Sequence, residues 1–480
     1  MRIAVVGGGL SGLAAAHRLG ELSRAEGCRV ELVLFESATH LGGTVGTEFE
    51  RGYLIERGAD SFITDKPWGV DLCRRLGLED RLIPTNATYR GSLVLRRGKP
   101  VPVPEGFLLL SPARIWPVLT SPLFSPWGKL RMGLEYFVPA GTADDESLAA
   151  FVRRRFGQEV LERLVQTLVG GIYTSDPDKL SLQATLPRYL EMERRERSLI
   201  RAARKLAKRQ PAGSEQESGA RYGLFATLRG GLSELLSRLE SSIAAQGTIR
   251  LRTAVSAIRR PSGGSGSRWE LQTSNGSREL FDAVVVAIRA NQAADVLGEQ
   301  DAELAGSLRG IEYASSAIVI TGHRLADIGH PLNAFGLVVP AIEKRNILAV
   351  SFASRKFPGR APEGHVLLRT FVGGAMQSEL LNAADDALIA MARDELRDLL
   401  DVRGEAELVK IARYANAMPQ YHVGHVARVE QIEKQTGRHA GLALAGNAYQ
   451  GVGIPDCIRS GEEAAQRVFS AIAESAALTR

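Results

Sequence analysis

The chain has 480 residues, of which 44% are hydrophobic and 24% are charged; these ordinary globular values exclude a fibrous or broadly disordered protein. Its net charge of +6 has no nucleic-acid-binding motif beside it, so we expect no nucleic-acid partner. Its three cysteines form no C-x-x-C pair and no histidine cluster accompanies them, which argues against a disulfide framework and a metal site.

The N-terminal segment predicts a dinucleotide-binding β–α–β unit. A β-branched run, Arg2–Val6, precedes a loop and a segment with helical spacing, Leu13–Leu19. The loop has three glycines in G-x-G-x-x-G order: Gly7, Gly9 and Gly12. Such glycines allow a tight turn, the approach of backbone to a pyrophosphate, and close helix–strand packing, while the helix N-terminus favours the phosphates. A second strand, Val30–Phe35, ends at Glu36, which suits a ribose hydroxyl pair.

No segment has the features of a signal peptide or a membrane span. The chain begins with a strand, and no uninterrupted apolar run reaches about 18 residues. We therefore expect a cytoplasmic protein. The apolar, proline-broken segment Phe107–Leu130 could touch a membrane or cover a greasy ligand.

After about residue 90 the pattern changes, and it returns twice to the nucleotide-binding type. Helical spacing at Leu232–Ile243 and a buried-strand run at Phe281–Ala290 mark the first return. The basic run Glu193–Arg209 is typical of a solvated helix face leading into a linker, Gln210–Ala220; an anionic surface or substrate is the alternative. We predict a discontinuous nucleotide-binding domain (1–90, 220–300 and 416–480), a substrate domain (91–107 and 301–415) and a helical domain (108–219).

The C-terminal block is again a strand, a glycine loop and a helix. The sequence GNAYQGVGIPDC predicts a helix that begins at about Pro455, because proline suits the first helical turn. The positive end of that helix faces back along Val452–Ile454. We interpret Cys457, just inside the helix, as a small packing residue.

These motifs together resemble the oxygen-dependent porphyrinogen oxidases, a flavoprotein family of the flavin amine oxidase superfamily that includes protoporphyrinogen IX and coproporphyrinogen III oxidases. The motifs are VVGGGLSGLAAAHRL, FESATHLGG, ERGADSF, LVGGIYTSDPDKLSL, TLRGGLSELL, MPQYHVGH and GNAYQGVGIPDC. The resemblance covers almost the whole chain. It implies an α/β fold, α+β overall: a Rossmann-like FAD-binding domain built from discontinuous segments, a mixed-sheet substrate domain and a helical inserted domain.

The resemblance also implies non-covalent FAD and the residues that contact it. These are Gly7, Gly8, Gly9, Leu10, Ser11, Gly12, Glu36, Gly43, Thr44, Gly58, Ala59, Asp60, Ser61, Val255, Val452, Gly453 and Ile454. The first loop would bind the pyrophosphate, Glu36 the ribose and Val255 the adenine through its backbone. The N–H groups of Val452–Ile454 would stabilise negative charge on the pyrimidine edge of the reduced flavin. Thr44 departs from the family, which often has a basic or aromatic residue there.

For the substrate, the resemblance implies contacts from Lys66, Gly171 and Ile172. Lys66 could bind a propionate or be an exposed loop lysine. Asp60 could be catalytic, by orienting the ring nitrogens or accepting a proton, or it could cap the turn Ser61–Asp65.

The implied reaction is the six-electron oxidation of a porphyrinogen to a porphyrin in haem biosynthesis, with O2 as acceptor and H2O2 as product. The basic surplus and the Lys66 pattern slightly favour coproporphyrinogen III over protoporphyrinogen IX. The alternatives are a flavin amine oxidase, whose paired-aromatic cage Tyr449 alone would not form, a carotenoid-type desaturase, and a non-catalytic porphyrin-binding flavoprotein. Peripheral membrane contact and a partner such as a ferrochelatase or another haem-pathway enzyme remain open, and the oligomeric state is unknown.

Overall fold

The computed structural model describes residues 1–89, 91–112, 114–209, 225–261 and 268–478. In these ranges the chain forms a parallel sheet with covered faces, a mixed seven-stranded sheet and a helical part. The predicted linker at 210–220 lies outside the described residues. None of the helices in these ranges combines the length and apolar character that crossing a bilayer requires.

The parallel sheet collects strands from distant parts of the chain. Its spatial order is β12 (Gly247–Arg250), β2 (Glu31–Phe35), β1 (Arg2–Val6), β16 (Ala283–Val286) and β22 (Leu442–Leu444). All four pairings are parallel. These strands fall in all three segments predicted for the nucleotide-binding domain, whose boundaries remain a prediction.

Both faces of this sheet are buried, which explains the unbroken apolar runs in its strands. Ile3 and Val5 pack on one face and Ala4 and Val6 on the other. The first face is covered by α1 (Leu10–Ala25), α2 (Pro67–Arg75), α11 (Ser233–Ala244), α17 (Ile454–Leu478) and a small sheet of β5 (Phe62–Ile63), β6 (Leu82–Pro84) and β11 (Phe225–Leu228). The second face is covered by β13 (Val255–Arg259), β14 (Trp269–Thr273), β15 (Arg278–Phe281), α12 (Ala290–Leu297), α13 (Ala302–Arg309) and α16 (His425–Thr436).

The second sheet is mixed because one of its pairings, between β18 and β7, is parallel. Its order is β21 (Leu408–Pro419), β17 (Tyr313–Arg324), β20 (His365–Gly373), β19 (Ala349–Phe352), β18 (Gly336–Val338), β7 (Leu93–Arg96) and β8 (Lys99–Pro102). One face packs on α15 (Asp385–Leu400), and α14 (Ala353–Lys356) follows β19. The other face packs on a hairpin, β3 (Thr47–Glu50) and β4 (Tyr53–Glu56), which brings residues 58–61 close to β20.

The helical part lies between residues 107 and 209. It begins with a short hairpin, β9 (Phe107–Leu108) and β10 (Ser111–Pro112). Its helices are α3 (Ile115–Thr120), α4 (Pro126–Gly133), α5 (Leu148–Phe156), α6 (Gln158–Val160), α7 (Gln166–Tyr173), α8 (Leu182–Thr185), α9 (Pro187–Glu196) and α10 (Leu199–Arg209). A fully buried ion pair, Arg155 with Glu135, is satisfied further by the Ser198 hydroxyl, which donates to Glu135 at 2.5 Å.

Candidate active site

The candidate cofactor site lies at the edge of the parallel sheet where its strands end. The loops that follow parallel strands meet at one edge, and α1 follows β1 just as α17 follows β22. The two helices also pack together, since a Cβ on Gly461 would lie 2.1 Å from the Ser11 carbonyl oxygen. The two glycine loops, one at each end of the sequence, are therefore neighbours in space.

The glycines of the first loop occupy three different environments. Gly7 has φ +108°, and a Cβ there would lie 2.5 Å from the carbonyl oxygen of Ala287. A Cβ on Gly12 would lie 1.8 Å from the Gly7 carbonyl oxygen, so this position holds helix α1 against the turn. A Cβ on Gly9, in contrast, would meet no heavy atom of the described residues within 4 Å. The loop thus has a turn that only glycine fits, a tight packing point and one open position, as phosphate binding requires.

Glu36 is fixed by backbone donors at the end of β2. Its Oε2 accepts from the Gly8 N–H and its Oε1 from the Ala38 N–H, both at 2.7 Å. The Glu36 carbonyl accepts from the Thr253 N–H at 2.8 Å, two residues before Val255. The Ser37 hydroxyl also donates to Oε1, at 3.2 Å. A carboxylate has about four lone-pair sites, so about one remains for a ribose hydroxyl. The structure places Val255 beside the same turn.

The glycine pair Gly42-Gly43 contacts the first loop, and the chain leads away from the loop after it. Gly42 donates to the Gly8 carbonyl at 2.8 Å, and a Cβ on Gly43 would lie 3.4 Å from the Cα of Gly9. Farther along, a Cβ on Gly58 would lie 1.9 Å from the Thr44 carbonyl oxygen. Backbone contacts therefore connect four of the predicted cofactor residues, each with the next: Gly9, Gly43, Thr44 and Gly58.

Asp60 is part of a buried charge cluster. Its carboxylate lies 2.9 Å from Lys356 Nζ and 3.1 Å from Arg369 Nη1, and it accepts from the Ser61 hydroxyl at 2.8 Å. Arg369 also donates to the Gly58 carbonyl. Burial alone would raise the pKa of Asp60, but the two cations hold it well below its usual range. This geometry disfavours Asp60 as a proton acceptor, because its oxygens already face two cations.

The second glycine loop, residues 446–453, is held by side chains from outside it. Gly451 has φ +125° and donates its N–H to the Tyr421 hydroxyl at 2.8 Å. Tyr421 in turn donates to the Asn447 carbonyl at 2.5 Å. Helix α17 begins at Ile454, one residue before the predicted start. The N–H groups of its first turn therefore lie at the same sheet edge as those of α1.

Lys66 forms an ion pair that the sequence did not predict. Its Nζ lies 2.7 Å from both carboxylate oxygens of Asp456, in the first turn of α17. The Asp456 side chain is 6% exposed and that of Lys66 is 37% exposed. Lys66 is thus an ion-paired residue beside the second loop, and its contact with the substrate stays a prediction.

A pocket that is partly open to solvent lies between helix α7 and the mixed sheet. Gly171 lines it, opposite Gly374 and Met376. Ile172 is 41% exposed and is not among the lining residues. Arg345 also lines the pocket, and its Nη1 lies 3.4 Å from the Glu395 carboxylate and 3.2 Å from the Asp398 carboxylate.

The sequence matches the profile of a protein family, described as flavin containing amine oxidoreductase, over residues 10–469. The chain belongs to this family. It is 34% identical to the coproporphyrinogen III oxidase of Bacillus subtilis (strain 168) over 96% of both chains. It is 28% identical to protoporphyrinogen oxidase 2, chloroplastic/mitochondrial, of Arabidopsis thaliana, over 98% of this chain and 94% of that protein.

A solved structure shows the same fold over nearly the whole length. It is the crystal structure of a protein from Exiguobacterium sp. 255-15 that is assigned as a protoporphyrinogen oxidase. The two chains are 30% identical with a TM-score of 0.84, and the match covers 97% of this chain and 98% of the other. The predicted α/β class and flavin-binding fold of the oxidoreductase are thereby confirmed. Its cofactor, as the family requires, is FAD.

The residues at the sheet edge fit this cofactor. The first turn of α1 carries no acidic residue, and among the described residues no side chain caps it, so its N–H groups suit a pyrophosphate. Burial raises the pKa of the Cys457 thiol to about 12, which keeps it protonated and unsuited to covalent attachment. The individual contacts of the oxidoreductase with FAD remain predictions.

Two cations of the oxidoreductase that pair with Asp60 were missed by the sequence analysis: the buried Arg369 and the partly buried Lys356. Arg369 is 2% exposed and lies in the middle of β20, within the apolar run VLLRTFV. A lone arginine inside a buried strand run is itself a signal, because an unpaired buried charge is costly and demands a partner. No comparable local signal marks Lys356, which reaches Asp60 from a helix 296 residues away.

Proposed function

We propose that this oxidoreductase oxidises a porphyrinogen to the porphyrin in haem biosynthesis, with O2 as acceptor and H2O2 as product, and that coproporphyrinogen III is preferred to protoporphyrinogen IX. The observation that carries the proposal is the full-length match to the Bacillus subtilis coproporphyrinogen III oxidase.

In this proposal the chain binds and orients FAD and the porphyrinogen. FAD, when bound, supplies the redox chemistry: it accepts two electrons per round and passes them to O2, with three rounds per porphyrinogen. The N–H groups of Gly7–Gly12 would bind the pyrophosphate, and Glu36 would accept from a ribose hydroxyl. The N-terminus of α17 would stabilise negative charge on the pyrimidine edge. Asp60, fixed as an anion, holds the segment 58–61 in place and moves no proton.

The substrate would lie against the pocket wall at Gly171, where a Cβ would meet no heavy atom of the described residues within 4 Å. Arg345 is a candidate cation for a propionate, although it would have to share its guanidinium with Glu395 and Asp398. Since Lys66 is already paired, the preference for the four-carboxylate substrate rests on the relatives and no longer on that residue.

The test is a fluorescence assay of the purified FAD-loaded protein with each porphyrinogen under air, with free FAD as the control. We expect faster porphyrin formation from coproporphyrinogen III and about one H2O2 for each two electrons removed. Equal or reversed preference would indicate a protoporphyrinogen oxidase, and no turnover of either would contradict the proposed function.

The rival amine oxidase function has less support. Its aromatic cage would need side chains that face the substrate, but Tyr449 is 8% exposed and packs in the core between the parallel sheet and α16. Incubation with primary and secondary amines would test this rival directly, and H2O2 formation there would favour it. Porphyrin binding without turnover would instead favour a non-catalytic porphyrin-binding flavoprotein.

We also propose peripheral contact with an anionic lipid surface through the helical part. Of fifteen exposed large apolar side chains in the described residues, seven lie between 115 and 137. Four of them follow helical spacing on α4 and the 3₁₀ turn after it, and so share one face: Trp127, Leu130, Leu134 and Phe137. Trp127 and Phe137 are 79% and 83% exposed.

Charge beside this apolar face supports the choice of an anionic surface. Lys129 donates to the Leu119 carbonyl at 2.7 Å, which ties α3 with its exposed Trp116 to the same patch. On α10, next to the patch, Arg201, Arg204 and Lys205 are exposed. Tryptophan and basic side chains together are typical of the interface between lipid headgroups and acyl chains.

Vesicle cosedimentation tests this contact. We expect binding to phosphatidylglycerol-containing vesicles, weaker binding to phosphatidylcholine alone, and a loss in Trp127→Ser/Phe137→Ser. Phe49→Ser is the matched control, because Phe49 is 77% exposed and lies outside the patch. Equal vesicle binding by the double variant and the wild type would contradict the contact.

A further inference from the structure

The motif MPQYHVGH has no part in the proposed cofactor or substrate contacts. Its eight residues, Met418–His425, begin with the last two residues of β21 and end at the first residue of α16; we name them the connector. Three of its side chains are nearly inaccessible to solvent: Gln420 at 4%, Tyr421 at 1% and His425 at 4%. Buried polar side chains need specific partners, and these partners lie in two separate parts of the site.

One set of partners is the pocket wall at the end of α7. Gln420 accepts a hydrogen bond from the Ser175 hydroxyl and donates to the Tyr173 carbonyl at 3.3 Å. Ser175 lines the same pocket as Gly171. The backbone of the connector continues this contact, since the Ser181 N–H donates to the Tyr421 carbonyl at 2.7 Å.

The other set of partners is the second glycine loop. The Tyr421 hydroxyl accepts from Gly451 at 2.8 Å and donates to the Asn447 carbonyl at 2.5 Å, so it joins both ends of the loop. His425 stacks on the Tyr421 ring at 4.0 Å between centroids, and its Nε2 donates to the Tyr449 carbonyl at 3.1 Å. Three backbone groups of the loop are therefore held by two adjacent aromatic rings.

We propose that the connector transmits the position of the pocket wall to the second glycine loop, and that Tyr421 is the positioning residue that orients the N–H groups of Val452–Ile454 toward the flavin. The inference rests on the proposed placement of the flavin at this loop. Neighbouring packing agrees with it, because Val452 and Tyr421 pack in the same core as α7. Occupation of the pocket would then alter how strongly the loop stabilises the reduced flavin.

The first experiment compares wild type with Tyr421→Phe in the FAD-loaded protein without any porphyrinogen. Phenylalanine keeps the ring but leaves two partly buried backbone groups of the loop, the Gly451 N–H and the Asn447 carbonyl, without their partner. We expect the FAD dissociation constant to rise about tenfold, the midpoint potential to fall and the flavin absorption spectrum to shift. Unchanged affinity and potential would overturn the positioning role.

Tyr189→Phe is the matched control, since Tyr189 is a tyrosine of the same core that is 1% exposed and has no contact with the loop among those described. We expect it to leave the potential unchanged. If Tyr421→Phe does not fold, His425→Leu takes its place, because it removes the Tyr449 contact of the same loop; an unchanged potential there would also overturn the role.

The second experiment tests transmission by adding coproporphyrin III and recording the flavin spectrum. We expect a shift in wild type that falls to less than about half in Gln420→Leu, which loses both contacts with the pocket wall. An equal shift in the two proteins, or none in wild type, would overturn transmission. Because the first experiment uses no porphyrin, failure of the proposed substrate would leave its result on Tyr421 intact.

Discussion

The two glycine loops meet at one edge of the parallel sheet but are supported in different ways. The first is fixed by backbone: Gly7 and Gly12 are packed so closely that neither could carry a Cβ without displacing a carbonyl. The second depends on side chains from elsewhere, above all Tyr421 and the Lys66–Asp456 pair. Support by backbone packing can be predicted from the sequence, because it requires glycines at a fixed spacing. Support by side chains cannot be predicted in this way, because the residues involved are far apart in the sequence and belong to no short motif.

The largest effect is expected in the first loop, from Gly12→Ala. A Cβ 1.8 Å from the Gly7 carbonyl oxygen must push α1 away from the turn, so we expect protein that contains almost no FAD. Gly9→Ala is the control within the same loop, because Gly9 has an ordinary φ of −70° and open space. The flavin-to-protein absorbance ratio checks both, with Gly9→Ala folding normally but binding FAD less tightly. Full FAD occupancy in Gly12→Ala would contradict this account of the loop.

A second large effect is expected at Asp60, which is supported like the second loop by distant side chains. Asp60→Asn would leave Lys356 and Arg369 buried without a carboxylate. Removing one partner of a buried ion pair costs about 3–5 kcal/mol, which we expect as a loss in the free energy of unfolding measured in urea. Lys356→Met/Asp60→Asn should recover part of that loss. Equal stability of wild type and Asp60→Asn would show that the cluster contributes nothing.

The same contrast explains what the sequence could predict. The sequence predicts the strand Arg2–Val6 with its observed bounds and the start of α17 to within one residue, because apolar runs, glycine and proline act locally. The ion pair of Lys66 could not be predicted, since its partner lies 390 residues away. The role of Asp60 was left open for the same reason: its partners, Lys356 and Arg369, become neighbours only when the mixed sheet forms.

The pH dependence of stability should come from the titratable side chains around the site, because the glycines have no group that titrates. Glu56 is 3% exposed, and burial raises its pKa to about 7 although Leu232 N–H and the Thr47 hydroxyl donate to it. The unfolded chain loses this proton from about pH 4.5 upward and the folded protein only near pH 7. Stability should therefore fall between these values as pH rises, by about 3 kcal/mol.

Urea unfolding at pH 5 and pH 8 measures this fall. In Glu56→Gln the contribution should disappear, because glutamine keeps an acceptor and has no proton to lose. Glu26→Gln, on the exposed end of α1, is the control and should retain the wild-type difference. The same pH dependence in Glu56→Gln and wild type would assign it to other groups.

The smallest effect is expected for Lys66→Met, and it separates two functions of this lysine. Removing Nζ leaves the Asp456 carboxylate, 6% exposed, without its cation. The positive end of α17 compensates part of that charge, and water reaches the half-open Lys66 site, so we expect a loss of only about 1 kcal/mol in the free energy of unfolding. Lys66→Met/Asp456→Asn should restore that loss if the pair accounts for it.

Steady-state kinetics of Lys66→Met then decide whether the lysine also binds substrate. If its Nζ remains with Asp456 during catalysis, the KM of Lys66→Met for coproporphyrinogen III should differ from that of the wild type by less than about threefold. The KM of Lys66→Met/Asp456→Asn should then stay within the same range. A tenfold or larger rise in KM, present in both variants, would mean that Lys66 leaves Asp456 to bind a propionate. The sequence expectation would then hold for the substrate complex, and the second loop would lose part of its support at the moment of binding.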